Sequence, residues 1–270
     1  MKKLFLLILY IVSSLVGYGQ VTIKGHVINE SNKAVEYVSI GFEEDSVGTI
    51  SDAMGNFIIK IPANRKNNLS FSHVSYQTAE VPYNEYAKGN GLTVVLKDKV
   101  VKLAEVVVGK NNKPSTITGR GISAIGDIGF RGKGHLGGAE FGPTFKNKKD
   151  YVVSDILLTV KKCTFNECTL SFNIYQIKGN QFVNILNKPI YKKVMRTNDK
   201  VKLDVTPDET IVLKGKTKYY ISFTVVDSDG YGTINFPSMF RTSYARRVVK
   251  GKQRKLPIGP AIIVKGYESK

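Results

Sequence analysis

The two cysteines are the residues whose spacing points most directly to chemistry. Four residues separate Cys163 from Cys168, strand patterns lie on both sides, and Asn166 between them suits a turn. A four-residue hairpin loop places its flanking side chains opposite each other, at a separation that a disulfide can bridge. We therefore predict a hairpin closed by a Cys163–Cys168 disulfide, with two reduced cysteines packed in the domain as the alternative.

The histidines do not form a ligand set in the sequence. They are His26, His73 and His135, and none of the usual zinc-ligand spacings occurs around them. A zinc site needs three or four converging ligands. His26 lies in a strand pattern and His73 at the end of one, which is typical of structural or surface residues. We therefore predict no metal ion and no cofactor.

The carboxylates leave one enzymatic alternative open. Asp204, Asp208 and Glu209 are close in sequence, and so are Asp227 and Asp229. A glycosidase needs two carboxylates at a defined separation across a sugar, which spacing along the chain does not establish. The second pair also fits a hairpin turn or oxygen ligands for calcium. We assign no catalytic residue, and a carbohydrate-active hydrolase remains the alternative to a non-catalytic protein.

A cationic run near the C-terminus is the candidate binding patch. The formal net charge of the chain is +18. A solvated loop is the alternative to a patch that grips an anionic glycan or lipid headgroup. The patch consists of one aromatic and six basic residues, Tyr244, Arg246, Arg247, Lys250, Lys252, Arg254 and Lys255.

The N-terminal residues predict export. Lys2 and Lys3 precede an apolar core from Leu4 to Val16, and small residues follow at positions that a signal peptidase reads. We read residues 1–19 as a signal peptide, and no later apolar stretch is long enough to span a bilayer. The mature chain is thus expected to have no transmembrane segment and to be periplasmic or associated with the outer membrane. Export also argues against nucleic acid as the partner of this basic chain.

Short strand patterns separated by turn signals run through the whole chain and predict an all-β protein. In the stretch from Gly48 to Pro62, an Asp and a Gly-Asn turn precede alternating Phe57, Ile59 and Ile61, which predicts a strand, a turn and a second strand. Further strand patterns cover residues 21–27, 69–72 and 92–96.

These motifs, with the closing segment 103–108, resemble the carboxypeptidase D-type regulatory domain, a transthyretin-like β-sandwich common in exported proteins of the Bacteroidetes. The resemblance covers residues 20–109 and implies an accessory module without catalytic activity of its own.

The segment after this module is rich in glycine and predicts a linker over residues 110–140. Its Gly129–Gly134 run resembles a phosphate loop, but Asp127 stands where such a loop needs its first glycine. Residues 141–270 return to short strands and predict a jelly-roll-like antiparallel β-sandwich. This half resembles sandwiches of unassigned function that follow such modules in Bacteroidetes proteins, and similar modules often bind carbohydrate.

The sequence thus predicts an exported, non-catalytic binding or scaffold protein of the bacterial envelope. Its expected ligand is a glycan or another envelope component. Besides the hydrolase, a subunit of an outer-membrane assembly remains open.

Overall fold

The fold is built almost entirely from β-strands, as predicted. The computed structural model describes residues 19–42, 47–88, 91–99, 113–119, 122–134, 139–247 and 253–269. The predicted signal peptide, the segment 103–108 and His135 lie outside these residues, apart from Gly19. Among these residues, the structure contains no helix with the length and apolar character of a membrane span.

The N-terminal domain is a sandwich of two small sheets. Alternation explains its core, because Phe57, Ile59 and Ile61 are buried while Ile58 between them is 56% exposed. One sheet has the order β4-β1-β7, and the other has the order β3-β2-β5-β6. The elements are β1 (Gln20–Asn29), β2 (Ser39–Gly41), β3 (Gly48–Ile50), β4 (Asn56–Pro62), β5 (Leu69–Ser72), β6 (Ala79–Val81), the one-turn helix α1 (Tyr83–Tyr86) and β7 (Leu92–Leu96).

The turn predicted after Ile50 forms, but the strands on its two sides do not pair with each other. Asp52 Oδ1 accepts hydrogen bonds from the backbone N–H groups of Met54 at 2.9 Å and Asn56 at 2.8 Å. Gly55 takes the left-handed conformation there, with φ of 78°. β3 pairs with β2, whereas β4 pairs with β1 in the opposite sheet. The turn therefore carries the chain from one sheet of the sandwich to the other.

The C-terminal domain is a larger antiparallel sandwich. An eight-stranded sheet has the order β13-β12-β17-β10-β18-β19, with β14 on β12 and β9 on β18. A five-stranded sheet has the order β15-β11-β20-β8, with β16 on β11. The strands are β8 (Ser115–Thr118), β9 (Ile122–Lys133), β10 (Ala139–Lys146), β11 (Tyr151–Val160), β12 (Lys162–Lys178), β13 (Gln181–Asn184), β14 (Ile190–Thr197), β15 (Val201–Val205), β16 (Val212–Leu213), β17 (Lys218–Ser228), β18 (Tyr231–Arg247), β19 (Arg254–Pro260) and β20 (Ile262–Glu268).

The two faces of β12 have different roles. Leu170, Phe172 and Ile174 are buried in the core between the two sheets. The intervening residues, Ser171, Asn173 and Tyr175, face the other side by the two-residue period of a strand. That outer face of the eight-stranded sheet is turned towards the N-terminal domain, because Tyr175 and Asn173 share a cleft with residues of that domain.

The prediction of a linker over 110–140, with the second domain beginning at 141, is wrong for the residues that the structure describes there. β8 pairs with β20, and β9 pairs with β18 from Ile122 to Lys133. The glycines have a packing role instead. A Cβ at Gly129 would lie 2.1 Å from the carbonyl oxygen of Ile234 on β18, so only glycine permits this approach of the two strands.

Candidate functional site

A cleft of about 490 Å³ lies between the two domains. Its N-terminal wall includes one rung of three paired strands, in which Ser39 lies between Ile50 and Ser72. Its floor is the outer face of β12 with its neighbours. The described lining comprises Tyr37, Ser39, Ile50, Ser72, His73, Val74, Tyr76, Gln77, Thr78, Lys99, Ser171, Asn173, Tyr175, Phe182, Asn184, Pro189, Tyr191, Val226 and Arg246.

Side chains from both domains meet at one side of the cleft. The rings of Tyr37 and Tyr191 make an edge contact with centroids 5.1 Å apart. Tyr37 has φ of 52°, a conformation that costs free energy for a bulky residue and is concentrated at functional sites. Lys99 Nζ also donates to the Leu186 carbonyl oxygen at 3.4 Å. These contacts hold the N-terminal domain over the floor.

His73 joins the same contact and is held neutral. Its Nδ1 accepts the backbone N–H of Ser75 at 3.2 Å, and its Nε2 lies 3.4 Å from the Tyr191 hydroxyl. Because Nδ1 is an acceptor, the neutral ring carries its proton on Nε2 and donates it to Tyr191. Burial lowers the pKa of His73 to about 4. Both ring nitrogens are therefore engaged within the protein, and the ring adds no charge to the cleft near neutral pH.

A buried ion pair underlies the floor. Glu140 and Arg246 are directly opposed on β10 and β18, and Arg246 Nη1 donates to Glu140 Oε1 at 2.7 Å. Glu140 is 0% exposed and Arg246 is 9% exposed. Glu140 Oε2 also accepts from the hydroxyls of Ser222 at 2.8 Å and Tyr175 at 3.1 Å. The carboxylate is thus surrounded by donors, as a buried charge must be.

Burial and charge act in opposite directions on this pair. Complete burial raises the pKa of the Glu140 carboxyl, while the Arg246 guanidinium and the Ser222 and Tyr175 hydroxyls oppose the rise. For Arg246, burial is the largest effect and lowers the pKa, but Glu140 together with Tyr175 and Tyr220 more than offsets it, so that the pKa lies above its ordinary value. The guanidinium therefore stays charged, and the fully buried Glu140 carboxylate compensates its charge.

Aromatic rings hold the guanidinium in place. Arg246 Cζ lies 4.5 Å from the ring centroid of Tyr175 and 5.1 Å from that of Phe182, both within cation–π range. Phe182 in turn makes edge contacts with Tyr220 and Tyr244. The floor of the cleft is therefore rigid, because its cation is fixed by an ion pair and by two rings.

The predicted cationic run divides in the structure. Arg246 is not available as a surface cation, because it is buried against Glu140, and Tyr244 belongs to the aromatic cluster beside it. Arg254 and Lys255 are exposed on β19, and Arg247 is half-buried at the end of β18. Lys250 and Lys252 lie outside the described residues. The described residues of this run thus lie on two paired strands and not on a loop. Arg246 is buried, whereas Arg254 and Lys255 are exposed.

The prediction that Cys163 and Cys168 flank a hairpin loop is wrong. Cys163 and Cys168 both lie on β12, and the register against β14 shifts between Cys163 and Glu167. Residues five apart would face opposite sides of a regular strand, but the bulge turns both thiols into the core, where each is 1% exposed. Both cysteines are free, with Sγ atoms 4.0 Å apart. This is the reduced, packed alternative.

The carboxylates noted in the sequence lie apart from the cleft lining, which contains no Asp or Glu among the described residues. Glu209 accepts the backbone N–H groups of Asn187 and Lys188 at 2.8 and 2.9 Å and so fixes a loop. Asp229 lies at the turn between β17 and β18, where it accepts the Glu167 N–H at 2.9 Å. In the described part of the chain, no three His, Cys, Asp or Glu side chains converge as a metal site.

Comparison with known proteins identifies the N-terminal domain. Residues 23–108 match the model of a CarboxypepD_reg-like domain. This regulatory-like, non-catalytic type agrees with the resemblance found in the sequence. No curated protein matches the chain.

Solved structures are only distantly similar. The structure of infectious bursal disease virus, Gx strain, is 12% identical with a TM-score of 0.31, and the match covers 92% of this chain and 75% of that chain. Carbohydrate-binding modules from the β-sandwich superfamily are 10% identical with a TM-score of 0.24, with 93% and 98% covered. At TM-scores this low, neither match carries an argument about function.

Sequence reasoning missed most of the cleft. The predicted linker includes Glu140, and the sequence gives no sign that His73 lines a cleft. The polar residues at every second position of β12 were the available signal, since Ser171, Asn173 and Tyr175 mark a face that is not core. That a second domain covers this face could not be read from the pattern.

Proposed function

We propose that this chain is an exported, non-catalytic binding protein of a bacterial envelope, and that it recognises a glycan through the cleft between its two domains. The observation that carries the proposal is the cleft itself, a concave site of about 490 Å³ whose floor is held by the hydrogen-bonded Glu140–Arg246 ion pair. Ligand sites are typically clefts at domain interfaces with a few fixed polar groups.

The chemistry of the lining supports a sugar ligand. Hydroxyl and amide groups of Ser39, Gln77, Asn173 and Asn184 can both donate and accept hydrogen bonds, as sugar hydroxyls do. Aromatic rings at Tyr37, Tyr76 and Tyr191 add apolar surface against which the C–H face of a sugar can pack. Export is supported by the N-terminal sequence, and the absence of catalysis by the regulatory-like type of the matched domain.

Isothermal titration calorimetry of the full mature chain with a panel of neutral and acidic oligosaccharides tests the proposal. We expect at least one class to bind and to be recovered uncleaved. Ser171 is half-buried on the outer face of β12, so Ser171→Tyr should fill the cleft and abolish binding. Ser115 is exposed on β8, and Ser115→Tyr is the matched control that should bind normally.

Failure of every oligosaccharide to bind contradicts the proposal. Equal loss of binding in both variants would place the site elsewhere, and release of shorter sugars would favour the hydrolase.

A further inference from the structure

Charge compensation at the floor indicates which glycans the cleft accepts. The chain carries a net charge of +18, yet the described lining contains only two basic side chains besides the neutral His73, namely Lys99 and Arg246. Lys99 donates to a backbone carbonyl at the domain contact. Arg246 is the cation at the floor, and the carboxylate of Glu140, which is 0% exposed, lies 2.7 Å from it.

The positions of Arg246 and Glu140 decide which ligands the cleft accepts, more than the number of charges does. Arg246 lines the cleft, whereas Glu140 does not and is entirely covered. A ligand therefore meets the guanidinium with its counter-charge already in place. An acidic sugar entering the cleft would lose the hydration of its carboxylate or sulfate and find the attraction of Arg246 largely cancelled by Glu140. An uncharged sugar has no charge to desolvate, and it can still accept hydrogen bonds from the other polar groups of the lining.

We propose that Glu140 is the residue that sets the ligand class of this cleft: by neutralising Arg246, it makes the site accept uncharged polyhydroxylated ligands, neutral oligosaccharides, and reject acidic ones. This inference rests on the proposed function. Glu140 acts through Arg246 and is a positioning and specificity-determining residue that does not touch the ligand.

Glu140→Gln tests the inference because it removes the counter-charge and keeps the shape. The amide oxygen can still accept hydrogen bonds, and Arg246 remains between the rings of Tyr175 and Phe182 with its charge uncompensated. We expect Glu140→Gln to bind inorganic sulfate at least about tenfold more tightly than the wild type, measured by calorimetry and by the sulfate-dependent rise in melting temperature. Acidic oligosaccharides should gain in the same way, while neutral ones should not.

Two further variants make the result specific. Glu268→Gln removes the same charge from an exposed ion pair with Lys149 on the other sheet, and it should not gain sulfate binding. Glu140→Gln combined with Arg246→Gln restores neutrality at the floor, and this double variant should not show the tighter sulfate binding expected of Glu140→Gln. If Glu140→Gln alone is too unstable to titrate, the double variant can be titrated instead. The double variant must then bind acidic sugars as weakly as the wild type does.

The outcomes separate the two proposals. No gain in Glu140→Gln over Glu268→Gln overturns the inference, and so does a wild type that prefers acidic oligosaccharides, while the binding function stands in both cases. A wild type that binds no oligosaccharide overturns the proposed function and the ligand class with it.

Discussion

Removing Arg246 should destabilise the C-terminal domain strongly and in a pH-dependent way. Arg246→Met keeps an apolar stem against Tyr175 and Phe182 but leaves Glu140, which is 0% exposed, without its cation. Breaking a buried ion pair by removing one partner costs about 3–5 kcal/mol, because the remaining charge is buried and uncompensated. We expect a loss of unfolding free energy of this size at pH 8.

The pH dependence follows from the carboxyl that remains. Burial already raises the pKa of Glu140 above its ordinary value of 4.5, and without Arg246 the rise should be larger. The folded variant then binds more protons than the unfolded chain above about pH 4.5, so its unfolding free energy falls as pH rises through that window. Relative to the wild type, the deficit should be small near pH 4.5 and grow by at most about 1.4 kcal/mol per pH unit.

Urea unfolding between pH 4.5 and 8, followed by far-ultraviolet circular dichroism, measures this difference. Arg254 is exposed, so Arg254→Met is the matched control and should change stability by less than about 0.5 kcal/mol. Glu140→Gln with Arg246→Met removes both charges, and its deficit should not vary with pH. A deficit below about 1 kcal/mol for Arg246→Met, or one that is independent of pH, would show that Glu140 does not depend on Arg246 for its charge compensation.

Four further outcomes follow from the structure. Because the folded pKa of His73 is about 4, below its ordinary 6.5, the wild type should lose up to about 3 kcal/mol of stability as pH falls from 6.5 towards 4, and His73→Asn should lose that component in acid titrations of unfolding. Gly142→Ala should lower the melting temperature, because its Cβ would lie 1.8 Å from a carbonyl oxygen of β17, at a cost of about 1–3 kcal/mol. Mass spectrometry of unreduced peptides should find free thiols at Cys163 and Cys168, and a linked peptide would contradict the packing described for β12. Trypsin should spare Arg131, since β9 is paired along β18, whereas early cleavage there would restore the linker prediction.

Local chemistry along the chain predicted the strand and turn in the Gly48–Pro62 stretch. Alternation placed Phe57, Ile59 and Ile61 on a buried face, and turn residues at Asp52 and Gly55 mark a turn that the structure contains. These features depend on the strand period and on backbone conformation, which neighbouring residues determine. The family resemblance, expected over residues 20–109, agrees with the family model that matches residues 23–108.

Pairing and long-range burial could not be predicted in this way. Glycine permits close strand approach as well as chain flexibility, so the glycines around Gly129 favour a linker in the sequence, whereas β9 pairs with β18 there. Arg246 looked like one cation among several, because its partner Glu140 lies 106 residues away. A bulge in β12 likewise changed which way Cys163 faces. Each error concerns a contact between distant strands, for which a single sequence carries no local signal.

Whether the cleft between the domains is the glycan site can be measured by nuclear magnetic resonance of the isotope-labelled full chain, titrated with a neutral oligosaccharide that binds. We expect the largest chemical-shift changes in the cleft, at Tyr37, Asn173 and Tyr191, and we expect them to vanish in Ser171→Tyr. Shift changes confined to exposed Arg254 and Lys255, or to any surface away from the cleft, would show that the cleft is not the binding site.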